Sequence, residues 1–249
     1  MLFLAVDTAG TTGGVLLAKG EDADNSFHLP ELLGFRSLPS REFSTLLVAA
    51  IAELLDGHPY RFADVDVFAA VSGPGSFTGL RVGLSAVKAL VEAASKPVVA
   101  VSRLAVMASA ATADGLEGAE TVHAVLGAGR SEFYHGVYRD CGWTRVEESL
   151  QTLESLTASL NCRPGLLVAS EPAVLAALQP FEPREIPDVG ARQALPLVWR
   201  SWREGRVTDV LKLDANYLRA SDAEILARLA VHAQQRNSTV LRPIDEPIE

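Results

Sequence analysis

The run Asp7-Thr8-Ala9-Gly10-Thr11-Thr12-Gly13-Gly14 places a carboxylate, three hydroxyls and three glycines in eight residues between two apolar segments. A hairpin of that composition can hold a metal through Asp7 and phosphates through its backbone amides, with Thr8 beside them. Its plainer reading is a turn built from turn-forming residues. A second place of this kind is Gly73-Pro74-Gly75-Ser76-Phe77-Thr78-Gly79, set between an apolar run and a helical pattern. A helix N-terminus there can take an anion. The spacing matches neither G-x-G-x-x-G nor G-x-x-x-x-G-K-[ST], so neither the dinucleotide nor the Walker device is available. The plainer alternative is a tight turn whose glycines admit close backbone approach, with Ser76 or Thr78 capping the helix. Asp7, Thr8, Gly73 and Gly75 are the candidate nucleotide-binding residues.

No other catalytic pattern emerges. His28, His58, His123, His135 and His232 form no i, i+4 pair and no H-E-x-x-H, so the sequence predicts no metal site. There is no G-x-S-x-G elbow, and neither Cys141 nor Cys162 has a neighbouring histidine. No catalytic residue is assigned. The two cysteines fit a reducing, cytoplasmic setting without a disulfide framework. In 249 residues, 22 Lys and Arg face 31 Asp and Glu, a formal net charge of −9. Such a chain gains little from counterion release on nucleic acid. The apolar run Met1 to Val6 is too short for a signal peptide, and no run approaches the roughly 18 residues of a membrane span. Secreted and membrane classes are not expected.

Positioning the two turns requires a particular order of elements. Strands are predicted over Leu2 to Asp7, Gly13 to Ala18 and Leu32 to Leu38. A helix capped by Ser40 follows from about Arg41 to Asp56, then a strand Val65 to Val71 and a helix Phe77 to Ala94. A strand Val98 to Val101 and a helix Ser102 to Ala113 complete the first set. This is the order of a ribonuclease H-like unit. It restarts with strands Val122 to Leu126, Glu132 to Tyr138 and Trp143 to Glu147. A helix near Leu153 to Leu160, a strand Leu166 to Ala169 and a helix from Pro172 make a less regular second copy. A helix over Gln193 to Trp202 is expected to cross back to the first unit. Asn216 to Arg219 is a strand candidate, and Ser221 with Glu224 forms a capping box for a last helix to about Gln235. The expected division is residues 1–103, 104–190, a returning segment 191–236, and a disordered tail 237–249.

The helices carry a further signal. From Leu46 to Leu55 the only charge is Glu53. The apolar side chains there cover roughly 240° of the helix, against the ≳100° stripe of one that buries a single face. In the next helix Arg81, Ser85, Lys88 and Glu92 share one narrow stripe. Gly79, Gly83, Ala86 and Ala93 gather on one flank, and Leu80, Leu84, Val87 and Val91 on the next. Either both helices lie between the chain's own two units, or one flank meets another protein. Leu47, Ile51, Leu55, Gly79, Gly83, Leu84 and Val87 are the candidate interface residues.

The stretch Gly73-Pro74-Gly75-Ser76-Phe77-Thr78-Gly79-Leu80-Arg81-Val82-Gly83 resembles the hallmark of the TsaB (YeaZ) family. Leu4 to Thr8, Ser40-Arg41-Glu42, Pro97 to Leu104, Arg130 to Tyr138 and Tyr217-Leu218-Arg219 support it in order along the chain. The resemblance implies a duplicated actin-like, ribonuclease H-like α/β fold with a reduced second unit. It implies a non-catalytic subunit that pairs with TsaD for threonylcarbamoyl transfer to a tRNA adenosine next to the anticodon. It further implies that TsaE joins the complex, that the two helices form the pairing surface, and that homodimers use the same surface. Contact with tRNA is indirect, and there is no intrinsic cofactor, with ATP or ADP admitted at the partner interface. The family's usual His after Arg-Glu is Phe43 here, and its Asp-Ala-Arg is replaced by Gly127-Ala128-Gly129, with Arg130 next. The rival reading is an actin-like ATP-dependent phosphotransferase or nucleotide-binding protein acting alone. A peptidase reading lacks metal ligands.

Overall fold

In the computed structural model, which describes residues 1–21, 28–113, 120–140, 142–216 and 218, β1 (Leu2–Asp7) is buried at every position. It is the centre of a five-stranded sheet. On one side β1 pairs antiparallel with β2 (Thr12–Lys19), and β2 pairs antiparallel with β3 (Glu31–Pro39). On the other side it pairs parallel with β4 (Val67–Val71), which pairs parallel with β5 (Val98–Val101). The apolar, wholly buried run of β4 is what a strand covered on both faces needs. The parallel steps are bridged by α1 (Phe43–Asp56) and α2 (Phe77–Ala94), and α3 (Arg103–Ala113) follows β5.

The second sheet repeats this topology strand for strand. β6 (Val122–Gly129) is central, with β7 (Glu132–Arg139) and β8 (Thr144–Thr152) antiparallel on one side. β9 (Leu166–Ala169) and β10 (Arg184–Glu185) are parallel on the other. The connecting helices are α4 (Leu153–Cys162) and α5 (Pro172–Ala177), and α6 (Ala191–Arg203) follows β10. The fold is thus a duplicated ribonuclease H-like α/β fold of the actin type, with its second copy reduced: α5 has 6 residues where α2 has 18, and β10 has 2.

The last helix of each copy packs on the sheet of the other. α3 lies against β6, β7 and β9, while α6 lies against β1, β2, β4 and β5, and the two helices touch. Since α2 also packs on β1 and β4, α6 must occupy the opposite face of that sheet. Trp199 of α6 meets the Phe3 ring edge-on at 5.4 Å, as expected of a helix that returns to the first sheet. A β-carbon on Gly20 would stand 2.6 Å from the Trp199 ring. One apolar cluster fills the first sheet and the space between the sheets, and a smaller one fills the far face of the second sheet under α4 and α5. Met1–Leu218 forms one compact unit.

Differences from the sequence expectation lie mostly at element ends. Ser40 does not cap α1. Residues Ser40–Glu42 form a 3-10 turn, and α1 starts at Phe43 without a side-chain cap. The Phe43 ring packs against Gly13 instead, so hydrophobic contact fixes where the helix begins. Residues Phe62–Asp64 form another 3-10 turn, which delays β4 to Val67. The strand proposed for 216–219, the capped helix from Ser221 and the tail lie wholly or partly outside the described residues. No described helix is long and apolar enough to cross a membrane.

Candidate functional site

The first hairpin and the Gly73 turn are in direct contact, and that contact engages the Thr8 hydroxyl and the Ser76 amide. The Thr8 hydroxyl donates to the Gly79 carbonyl at 2.7 Å, and the Ser76 amide donates to the Ala9 carbonyl at 2.8 Å. A β-carbon on Gly75 would lie 2.2 Å from the Ala9 carbonyl oxygen, and one on Gly79 would lie 2.1 Å from that of Thr8. Gly73 sits at φ 99°, in the region open mainly to glycine. Its carbonyl accepts from the Arg103 amide at 2.7 Å. Ser76 caps α2 through its hydroxyl oxygen, 3.2 Å from the Gly79 nitrogen. Thr8, Gly73 and Gly75 therefore close a turn onto a hairpin, and Gly75 also lines the cleft next to it. Their spacing serves the approach of two backbones.

Asp7 is fully buried at the end of β1. Its Oδ1 accepts from the Ala9 amide at 2.8 Å, and its Oδ2 has no partner. Burial pushes its carboxyl up to about 6, against the opposing pull of the Ala9 amide and the Arg103 charge. Arg103, at the start of α3, is itself buried and bonds Asp188 at 2.6 Å. It lies in a cleft of ≈ 590 Å³ between the two sheets. Ala9, Gly10, Gly75, Ser76, Gly127 and Glu171 also line this cleft. Glu171 accepts from the Gly127 amide at 3.0 Å, so the Gly-rich turn of the second copy is held by a carboxylate.

A second concavity, of ≈ 390 Å³, lies on the far face of the second sheet. It joins two histidines that carried no motif in the sequence. His123 and His135 stack with rings 7° apart, and His123 Nδ1 is 2.9 Å from His135 Nε2. His123 Nε2 is 2.9 Å from the Arg163 carbonyl. A carbonyl only accepts, so His123 carries its proton on Nε2 and His135 donates from its own Nε2. His135 Nδ1 is left as a buried, unpartnered acceptor. Burial holds both imidazoles below their usual range, His135 down to about 4. The register pairs His123 with Val137 and Val125 with His135, so the two are diagonal neighbours on one face. That was readable once the β6–β7 turn was placed. Among the described residues, no three His, Cys, Asp or Glu side chains group to hold a metal.

The seven candidate interface residues all lie in the chain's own core. Leu47, Ile51 and Leu55 of α1, and Gly79, Gly83, Leu84 and Val87 of α2, are buried. Gly83 is pressed against Thr8, whose Oγ1 would be 2.1 Å from an added β-carbon. This corrects the choice of flank: a wheel gives the stripes and not which of them faces the sheet. The outward stripe of α1 is Thr45, Val48, Ala49 and Ala52, at i, i+3, i+4 and i+7, with Val48 68% exposed. On the neighbouring α2, Ala89 and Ala93 are exposed, and Val82 and Ala86 are half-buried. At one end of this face Phe77, 42% exposed, carries the Arg81 guanidinium 3.8 Å above its ring.

Residues 37–184 match the family model TsaD, described as tRNA N6-adenosine threonylcarbamoyltransferase. The chain is 35% identical over 135 residues to the tRNA threonylcarbamoyladenosine biosynthesis protein TsaB of Haemophilus influenzae, covering 54% of this chain and 52% of that one. It is 30% identical over 139 residues to the TsaB protein of Escherichia coli K12, covering 56% and 55%. The chain thus spans about half the length of the curated relatives it matches. A crystal structure from Pseudomonas aeruginosa, described as an uncharacterized protein with similarity to peptidase YEAZ, superposes with a TM-score of 0.69. It shares 25% identity, over 88% of this chain and 99% of that one.

Proposed function

Because the chain belongs to the TsaB (YeaZ) family, within the wider group that the TsaD model describes, we propose that it serves tRNA threonylcarbamoyladenosine biosynthesis as a non-catalytic subunit paired with a TsaD-type transferase. The observation that carries this is the outward face of α1 and α2. Val48, Ala49 and Ala52 on one helix and Val82, Ala86, Ala89 and Ala93 on the other make an apolar, small-residue surface that the second copy leaves uncovered. Small side chains let a facing pair of helices approach closely, and an exposed aromatic with a stacked arginine supplies an anchor at one end.

The partner's chemistry follows from kinship. The TsaD model covers residues 37–184, which include both helices, so a transferase of that group carries an equivalent helix pair. Two related chains can meet through equivalent surfaces about a pseudo-twofold axis, as two copies of one chain do about a true one. Docking then biases the transferase toward its active arrangement. The ATPase TsaE joins this pair in the same reading. The acidic charge of this chain leaves contact with tRNA to the partner. ATP or ADP, if required, sits at the joint interface.

The test is threonylcarbamoyladenosine formation on tRNA by purified TsaD and TsaE with a threonylcarbamoyl-AMP supply, with and without this chain. Product formed only in its presence supports the reading. Equal product in both reactions removes it.

A further inference from the structure

Arg103 is bound by half of what it can offer. Nε and Nη2 share one edge of the planar guanidinium, the edge that grips a carboxylate with two parallel hydrogen bonds. Here Nη2 bonds Asp188 Oδ1 at 2.6 Å while Nε, on the same edge, is buried with no partner. The arginine is fixed in place: its side chain is only 8% exposed, its amide is tied to the Gly73 carbonyl, and its Nη2 abuts Gly10. Asp188, by contrast, is 42% exposed and stands between β10 and α6. A buried donor without a partner is costly, and a purely structural ion pair has no reason to leave one.

We propose that the Nε–Nη2 edge of Arg103 is a subsite for the carboxylate of a small monoanionic ligand in the inter-sheet cleft, with Asp188 as the internal group it displaces. Both residues line that cleft of ≈ 590 Å³, so a ligand reaches the edge from the open side once Asp188 swings out. The charge around the site selects a monoanion. Glu171 lines the same cleft, and the buried Asp7 is close enough to feel the charges of both Arg103 and Asp188. A single carboxylate replacing that of Asp188 keeps the local charge as it is. A triphosphate would add several negative charges to a cleft that already holds Glu171, with one guanidinium among its lining residues to meet them. The exchange is non-covalent: one hydrogen bond to Asp188 breaks and two to the ligand form.

The experiment titrates acetate and, separately, inorganic phosphate into the full chain and into Asp188→Asn, by calorimetry and by the Nε–H resonance of Arg103 in ¹H–¹⁵N spectra. Arg103→Lys identifies that resonance, and its thermal unfolding reports whether the variant folds. Asp188→Asn keeps the side-chain shape and removes the competing charge, so acetate should bind it at least tenfold more tightly than wild type. The Nε–H signal should move on saturation in both proteins. Equal acetate affinity in the two proteins overturns the proposal, as does an Nε–H signal that stays still at saturation. Phosphate binding tighter than acetate overturns the carboxylate assignment and marks the edge as a site for tetrahedral anions.

Discussion

The carbonyl oxygen of Thr8 stands 2.1 Å from the point where a β-carbon on Gly79 would lie, and the Thr8 hydroxyl bonds the Gly79 carbonyl at 2.7 Å. Helix α2 rests on the first hairpin by bare backbone. Gly79→Ala must push the helix off its seat, because the obstacle is a main-chain atom. We expect a loss of about 3 kcal/mol in urea unfolding, the upper part of the range for overpacking. Gly57→Ala is the control. Gly57 lies at φ −72° with only its own helix's carbonyls near, the closest 3.3 Å away. It should stay within about 0.5 kcal/mol of wild type.

Two buried groups should oppose each other in acid. Asp7 is raised from 3.8 to about 6, so the folded state binds its proton more tightly than the unfolded state does. Its ionisation costs stability as pH rises from about 4 through 6, by about 3 kcal/mol in all. His135 is lowered from 6.5 to about 4 by burial, so its contribution is full above 6.5 and is lost as pH falls toward 4. That loss is also about 3 kcal/mol, and His123 adds to it with the same sign. The wild type should therefore show a shallow stability profile between pH 4 and 6.5. Asp7→Asn should fall steeply on acidification and exceed wild type at pH 7.5, and His135→Gln should rise on acidification relative to wild type. Parallel profiles for all three proteins in denaturant titrations would refute the assignment.

A glutamate should act in opposite ways on the two flanks of α1. Ile51 is 4% exposed, so Ile51→Glu buries an unpaired charge in the core and should unfold the chain or cost about 4 kcal/mol or more. On α2, Leu84→Glu should behave like Ile51→Glu, Leu84 being 5% exposed. Val48→Glu places its charge in water and should leave the melting temperature within a few degrees of wild type. Circular dichroism of the three variants decides it.

The sequence revealed what local pattern controls. Phe77–Ala94 was bounded by a serine that does cap it and by the end of an apolar run, and Val98–Val101 and Leu166–Ala169 by their flanking turns. The duplication was visible as a repeated order of elements. What stayed hidden depends on which surfaces meet. Ile51 and Val48 have the same hydrophobic character, and only the position of the sheet makes one core and the other surface. Gly73 and Gly75 admitted two readings because close approach to a phosphate and close approach to a backbone ask for the same residue. His123 with His135 needed the β6–β7 register. Arg103 with Asp188, 85 residues apart, needed the whole tertiary fold.

The most direct test of the account is sedimentation velocity of a TsaD-type partner mixed with the wild-type chain or with the Val48→Glu, Ala89→Glu double variant. Both positions face outward from α1 and α2, so the variant should remain folded. The account predicts a heterodimer boundary with wild type and two free species with the variant. An equal heterodimer with both proteins would contradict pairing through this face.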